Sequence, residues 1–288
     1  MKTFLFIIAF PLVAFSQTSF ELGKKAFEEG NYQEAISKLE RVLESQPSDK
    51  LTRDYLGQSY ARLERWEESA DINKTLVEDY PVNAEYHFRY GGALGLVAKE
   101  ANSFKALSLL GDVKFHLKKA IELNPKHIEA RWALLQIYLE LPGIVGGSES
   151  TSRKYASQLQ SLSPVDGALA FGYIERELEN YDKAETHYKK AVELGQSVTT
   201  YKELAELYKR SEDTAKHFET LEKGIKRLNS ITLASVYVDT ALKLNRNKQE
   251  ALEILNTLTL SELQPPSVTQ SGWSEEKETL IRLKSQLN

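Results

Sequence analysis

Residues 50–83, KLTRDYLGQSYARLERWEESADINKTLVEDYPVN, decide the fold. Leu56-Gly57 stands near the start of this stretch and Pro81 near its end. Leu22-Gly23 lies 34 residues before Leu56-Gly57, Tyr90-Gly91 lies 34 residues after it, and Pro47 precedes Pro81 by the same interval. A fixed period of this length marks a stack of repeated units, each burying its apolar side against its neighbours. A small residue at the glycine position lets two backbones approach. Larger apolar residues fill the space around that contact, and the proline stops the second helix of the unit.

The pattern resembles the tetratricopeptide repeat, a pair of antiparallel helices, A and B. In the first unit Leu22, Gly23, Ala35, Leu39, Val42 and Pro47 fill its marked positions. The second, from Lys50, carries Leu56, Gly57, Tyr60, Ser69, Leu76 and Pro81. The third, from Ala84, carries Tyr90, Gly91 and Leu94. Its helix B (Leu117, Ala120, Pro125) arrives only after an insertion near residues 99–111, read as an extra turn or short helix. The fourth starts near Ile128 and is interrupted by LPGIVGG at 141–147. Three further units start at Val165, Val198 and Thr232.

The resemblance implies an all-α, right-handed superhelical solenoid of about seven helix pairs over residues 17–260. A polar, Pro-rich linker at 261–272 then leads to a capping helix at 273–288, with Leu280, Ile281, Leu283 and Leu287 largely on one face. Ser48, Asn83 and Ser148 are the expected helix N-caps, since each side-chain oxygen can accept from a free N–H of the following helix. The two interruptions are similar to those of a subgroup of bacterial exported tetratricopeptide proteins.

The N-terminus reads as a secretory leader. Met1-Lys2-Thr3 is followed by the uncharged run Phe4 to Phe15, with Ala14 and Ser16 as small residues before an expected cleavage after Ser16. The run is shorter than the about 20 residues that span a bilayer. A periplasmic or secreted protein with no membrane span after cleavage is therefore expected. The 288 residues contain no cysteine, which excludes disulfides, thiol nucleophiles and Cys-ligated zinc. A net charge of −4 with no basic block argues against nucleic acid as partner.

No motif carries catalysis or a cofactor. Gly143–Gly147 lacks the Lys-Ser/Thr ending and the preceding strand of a phosphate loop. Gly91-Gly92-Ala93-Leu94-Gly95 falls inside a helix A, where it serves close packing. His87, His116, His127, His187 and His217 form no metal-ligand spacing. The expectation is no enzyme, no metal and no cofactor.

In the tetratricopeptide family, partners bind against helix-A side chains in the concave groove. Carried over by position, the resemblance nominates Lys24, Asp54, Gln58, Arg62, Phe88, Trp132, Gln136, Tyr173, Arg176, Lys202, Lys209 and Arg210, with Phe20 and Phe27 beside Lys24. Aromatic and arginine side chains are common interface anchors. The set that clamps a chaperone-tail carboxylate is not filled. The expected function is a protein-interaction scaffold of the cell envelope that takes a peptide or protein partner. The alternative is a small-ligand or glycan carrier stacking on Phe88, Trp132 and Tyr173.

Overall fold

A computed structural model describes the backbone of residues 10–260 and 270–287, and the side chains of 18–258 and 278–287. All regular structure among the described residues is helical. The first nine residues of the expected leader and residues 261–269 of the expected linker lie outside them. The chain divides into two compact units, Met1–Gly147 and Ser148–Asn288.

In the first unit the helices are α1 (Phe10–Glu28), α2 (Tyr32–Ser45), α3 (Lys50–Arg62), α4 (Trp66–Asp79), α5 (Ala84–Glu100), α6 (Ser103–Leu123) and α7 (Ile128–Glu140), followed by a 3-10 turn at Gly143–Val145. The expected cleavage point after Ser16 falls inside α1. The second unit has α8 (Glu149–Leu162), α9 (Pro164–Glu177), α10 (Tyr181–Gly195), α11 (Val198–Arg210), α12 (Thr214–Leu228), α13 (Ile231–Leu244), α14 (Lys248–Leu260) and α15 (Gln270–Leu287). Within each unit every helix packs on the next in the chain.

The glycine of helix A sets how closely A and B approach. A methyl group on Gly172 would stand 2.8 Å from the ring of Tyr188, which is itself fully buried. The same clash arises at Gly23 against Leu39, 2.8 Å away, and at Gly91 against His116 and Leu117 at 3.1–3.3 Å. Where the facing residue is polar, as in the second pair, the contact is also hydrogen-bonded: Ser69 Oγ donates to the Gly57 carbonyl at 3.0 Å. Leu56 is buried against Ile36 and Leu39 of the preceding pair, whereas Leu22, at the same place in the first pair, is exposed. Leu22 has no earlier pair among the described residues to pack against.

The same turn joins α1 to α2, α3 to α4, α9 to α10 and α11 to α12. Asn31, Arg65, Asn180 and Asp213 donate their N–H to the carbonyls of Ala26, Tyr60, Glu175 and Tyr208 at 2.8–2.9 Å. The residue before each is left-handed: Gly30, Glu64, Glu179 and Glu212. This closure satisfies carbonyls that a helix C-terminus leaves open. Glycine is the least costly residue there, yet three of the four turns use glutamate.

Two expectations are corrected, and a third, an extra turn or a short helix at 99–111, is narrowed to the extra turn. Asp49, not Ser48, caps α3, accepting from Thr52 N at 2.8 Å; the Ser48 carbonyl instead accepts from Arg53. Asn83 and Ser148 do cap α5 and α8. Residues 99–111 form no separate short helix: they extend α5 to Glu100 and, after an Asn102 cap, lengthen α6 to 21 residues. In α15, Leu280, Leu283 and Leu287 join the core of α11–α14, while Ile281 is exposed. It stands one residue after Leu280, about 100° around the helix, and so off the buried stripe.

A histidine pair ties α5 to α6. His87 Nε2 lies 3.0 Å from the Pro81 carbonyl, which can only accept, so that nitrogen carries the proton. His87 Nδ1 is then the acceptor for His116 Nδ1–H at 2.8 Å. The arrangement fixes His87 with its proton on Nε2 and His116 with a proton on Nδ1. Burial, then repulsion from His87, holds His116 below the ordinary imidazole range, against an opposing pull from Asp112.

Two outcomes follow. Gly172→Ala should lower stability by about 1–3 kcal/mol, as overpacking does, while Gly92→Ala, which meets nothing within 4 Å, should be neutral or up to about 1 kcal/mol more stable. Denaturation followed by helical circular dichroism checks both. Because the folded His116 titrates below its unfolded value, its contribution is fully present above about pH 6.5 and lost as pH falls through the lowered value. Burial shifts His187 and His217 in the same direction. The stability of His116→Gln should therefore fall less than that of the parent between pH 7.5 and pH 5; equal slopes would contradict the pair's assignment.

Candidate functional site

In the first unit the A helices touch one another in sequence, which makes their nominated residues one row. Tyr55 of α3 receives Phe20 and Phe27 of α1 edge-on, at 6.0 and 5.3 Å between ring centres. Asp54 of α3 is the centre of the next junction. It pairs with Arg89 of α5, accepts from Gln58 Nε2 at 2.9 Å, and takes a longer contact from the Tyr86 hydroxyl at 3.5 Å. Burial, then the Asp54 charge, pushes the Tyr86 phenol up to about 12, so it stays a donor. At the following junction Phe88 packs on the ring of His127, which caps α7, at 4.7 Å.

The structure thus brings Asp54 and Gln58 together and gives them an internal task. The carboxylate is neutralised within the chain, so it offers little free charge to a partner. Lys24 forms a long ion pair with Glu28, at 3.8 Å. Arg62 and Gln136 are exposed, and Arg62 forms no ion pair among the described residues. Trp132 is half-buried on α7.

The second unit repeats the device with different residues. Arg176 is only 7% exposed; its Nη1 donates to Glu203 of α11 at 2.7 Å and its Nε to Glu177 at 3.2 Å. The guanidinium lies over the rings of Tyr173 and Tyr188, at 5.2 and 5.7 Å. Arg210 returns from α11 to Glu177 of α9 at 2.9 Å. Arg176 therefore ties two A helices together, and removing it would leave Glu203 without this partner. Lys209 pairs with Glu206 of its own helix at 3.6 Å, and Lys202 is exposed.

Sequence reading missed Arg89, Tyr86, Glu177 and Glu203. A signal for two of them was present: Arg89 stands 35 residues after Asp54 and Arg210 stands 33 after Glu177, one period to within a residue. Opposite charges one period apart face each other on successive A helices. Among the described residues no group of three or more His, Asp or Glu side chains is placed to hold a metal ion, and no helix is long and apolar enough to cross a membrane.

Comparison with known proteins agrees with this geometry. Two family models described as tetratricopeptide repeat match residues 26–88 and 167–195. Among solved structures, a tetratricopeptide repeat protein from Parabacteroides merdae is 14% identical, with 93% of this chain and 99% of that one covered and a TM-score of 0.55. A monomeric mutant of IFIT1 with m7Gppp-AAAA is 18% identical over 85% of this chain and 54% of that one, at 0.54. The MamA protein is 20% identical over 66% and 96%, at 0.50. At such identities the likeness is one of fold alone. No curated protein matches the chain in sequence. With its period, its glycine-set helix pairs and the two matched segments, the chain carries tetratricopeptide repeats.

Proposed function

We propose that this chain is a non-enzymatic scaffold exported to the cell envelope, binding a segment of a protein partner along its helix-A faces. The repeat fold supports the general reading of a protein-interaction scaffold. The observation that carries the finer one is the A-helix row that each unit has by itself. Its acidic and buried members are already paired, Asp54 to Arg89 and Arg176 to Glu203, which fixes the surface. Its exposed members, Arg62 and Gln136 in one unit and Lys202 in the other, present hydrogen-bond donors on that fixed frame. Preorganisation of this kind lowers the ordering cost of binding. The donor-rich set fits backbone carbonyls and acidic side chains of a peptide better than the backbone of a nucleic acid, because it is sparse and the chain is acidic overall.

Carriage of a small ligand or glycan by stacking is the weaker reading. One face of Phe88 is taken by His127, and Tyr173 lies beneath Arg176.

Photo-crosslinking in the native cells separates the sides of the repeat. A crosslinking residue at Gln136 or Lys202 should yield discrete protein adducts, and one at Lys226 or Glu44 on the B helices should not. Adducts from all four positions, or from none, would remove the A-face reading. Arg62→Glu should weaken capture of the crosslinked partner about tenfold, whereas Arg176→Ala should chiefly lower the melting temperature, since it breaks a buried pair. Export has its own check: mass spectrometry of the protein from the envelope fraction should find a mature N-terminus at Gln17, and a chain still starting at Met1 in the cytosol would refute it.

A further inference from the structure

The lengthening of α5 and α6 builds a cavity on the first unit. In the second pair Trp66 opens helix B as the first residue of α4. One period later, where the third pair would open its own helix B, stands Glu100, the last residue of α5. That helix runs for 17 residues against 13 in α3. The extra turn brings the Glu100 carboxylate to Trp66, whose Nε1–H donates to it at 3.0 Å. Lys105, in the first turn of α6, reaches back to Glu67 of α4 at 2.6 Å. Between α4, the end of α5 and the start of α6 lies a cavity of about 410 Å³, the size of a small-ligand site. None of the nominated A-helix residues lines it.

Trp66, Val97 and Ala101 give the cavity an apolar wall. Trp66 is only half-buried, and the bond from its Nε1 to Glu100 holds the ring in one orientation. The rest of the lining is charged, and its two cations are already engaged. Arg65 pairs with Glu68 at 2.7 Å and lies over the Tyr60 ring at 4.6 Å, while Lys105 pairs with Glu67. Glu64 and Glu100, both exposed, also line the cavity, and neither has an ion-pair partner among the described residues. Two uncompensated carboxylates therefore stand beside an oriented indole.

This combination selects the occupant. Anions are repelled. A metal ion would need a group of His, Asp or Glu side chains placed around it, and no such group of three or more occurs among the described residues. A neutral molecule would leave both carboxylates uncompensated. A guanidinium matches both features: it is planar and stacks on an aromatic face, and its fork of N–H donors suits carboxylates. It is also more weakly hydrated than an ammonium, so it gives up less on leaving water. We propose that this cavity is a binding site for a guanidinium group, stacked on the Trp66 indole with Glu64 and Glu100 as its counter-charges. The group comes from an arginine side chain of a partner or from a free guanidino compound.

The indole N–H signals of the full chain, read by nitrogen-15 NMR, test it. The sequence holds three tryptophans, Trp66, Trp132 and Trp273, and Trp66→Phe assigns the first signal. Ethylguanidinium and, separately, the peptide acetyl-Gly-Arg-Gly-amide should move the Trp66 signal saturably at about millimolar concentration and leave the other two in place. The same peptide with citrulline for arginine has the shape without the charge, and should not move it. Glu64→Gln with Glu100→Gln should weaken the binding about tenfold or more. Glutamine keeps an acceptor for Trp66 Nε1 and both positions are exposed, so the fold should persist, which circular dichroism checks. Saturation by the peptide alone assigns the site to a partner's arginine, and saturation by ethylguanidinium alone to a free compound; either supports the proposal. No saturable movement with either probe overturns it, as does an equal response to the citrulline peptide or equal affinity of parent and variant.

Discussion

Contact between a helix-A glycine and the side chain opposite it on helix B governs this molecule. It brings the two axes close enough for apolar residues on either side to bury completely, as Leu39, Leu76, Leu117 and Tyr188 do. Burial of such side chains is the main favourable term of folding. Each pair is too thin to bury both of its faces, so the outer apolar face must be covered by the next pair. The contrast between buried Leu56 and exposed Leu22 shows the rule at one position: the same residue type in the same register is core or surface according to whether a neighbour precedes it. At the other end α15 lays Leu280, Leu283 and Leu287 on the core of α11–α14.

A consequence is that electrostatics on the A helices are written in the same period as the packing. Once pairs stack at a fixed interval, side chains one period apart stand opposite each other. Asp54 meets Arg89, and Glu177 meets Arg210. Glu40 accepts from the hydroxyl of Tyr60 at 2.5 Å, as Glu185 does from Tyr208 at 2.7 Å, each tyrosine on the next A helix. These phenols are pushed up by burial and by the hydrogen-bonded carboxylate, so both bonds keep their donor across the physiological range. Exposed pairs of this sort add little to stability individually. Their effect here is positional, since they fix how the A helices sit and what those helices leave free.

How much of this was legible in the sequence depends on the range of the interaction. The period, the helix pairs and the small-residue contacts were legible, because each follows from the identity of one residue at one spacing. Asn83 and Ser148 were legible as caps for the same reason, whereas Ser48 lost to Asp49, an equally good cap one residue on. The turns at Glu64 and Glu212 were not legible: glutamate carries no turn signal, and only the hydrogen bonds of the neighbouring helices hold it left-handed. Arg176 shows the limit most sharply. By register it belongs to the groove, but Glu203 and two tyrosine rings, from three different helices, turn it inward. No local pattern announces a residue whose place is decided in part by Tyr188 and Glu203, on later helices.

The interruptions then acquire a physical meaning that the regular units lack. In a plain repeat, every exposed position is the counterpart of another one period away, and its chemistry is constrained by the stack. Lengthening α6 and inserting residues 141–147 frees two segments from that constraint, and the chain uses the freedom in one direction. Both segments expose apolar side chains, and Lys114 clips one to the other through Gly146. Exposed phenylalanine costs solubility and returns nothing to the core. The regular helices keep the period, and the two interruptions are where its constraint on exposed positions lapses.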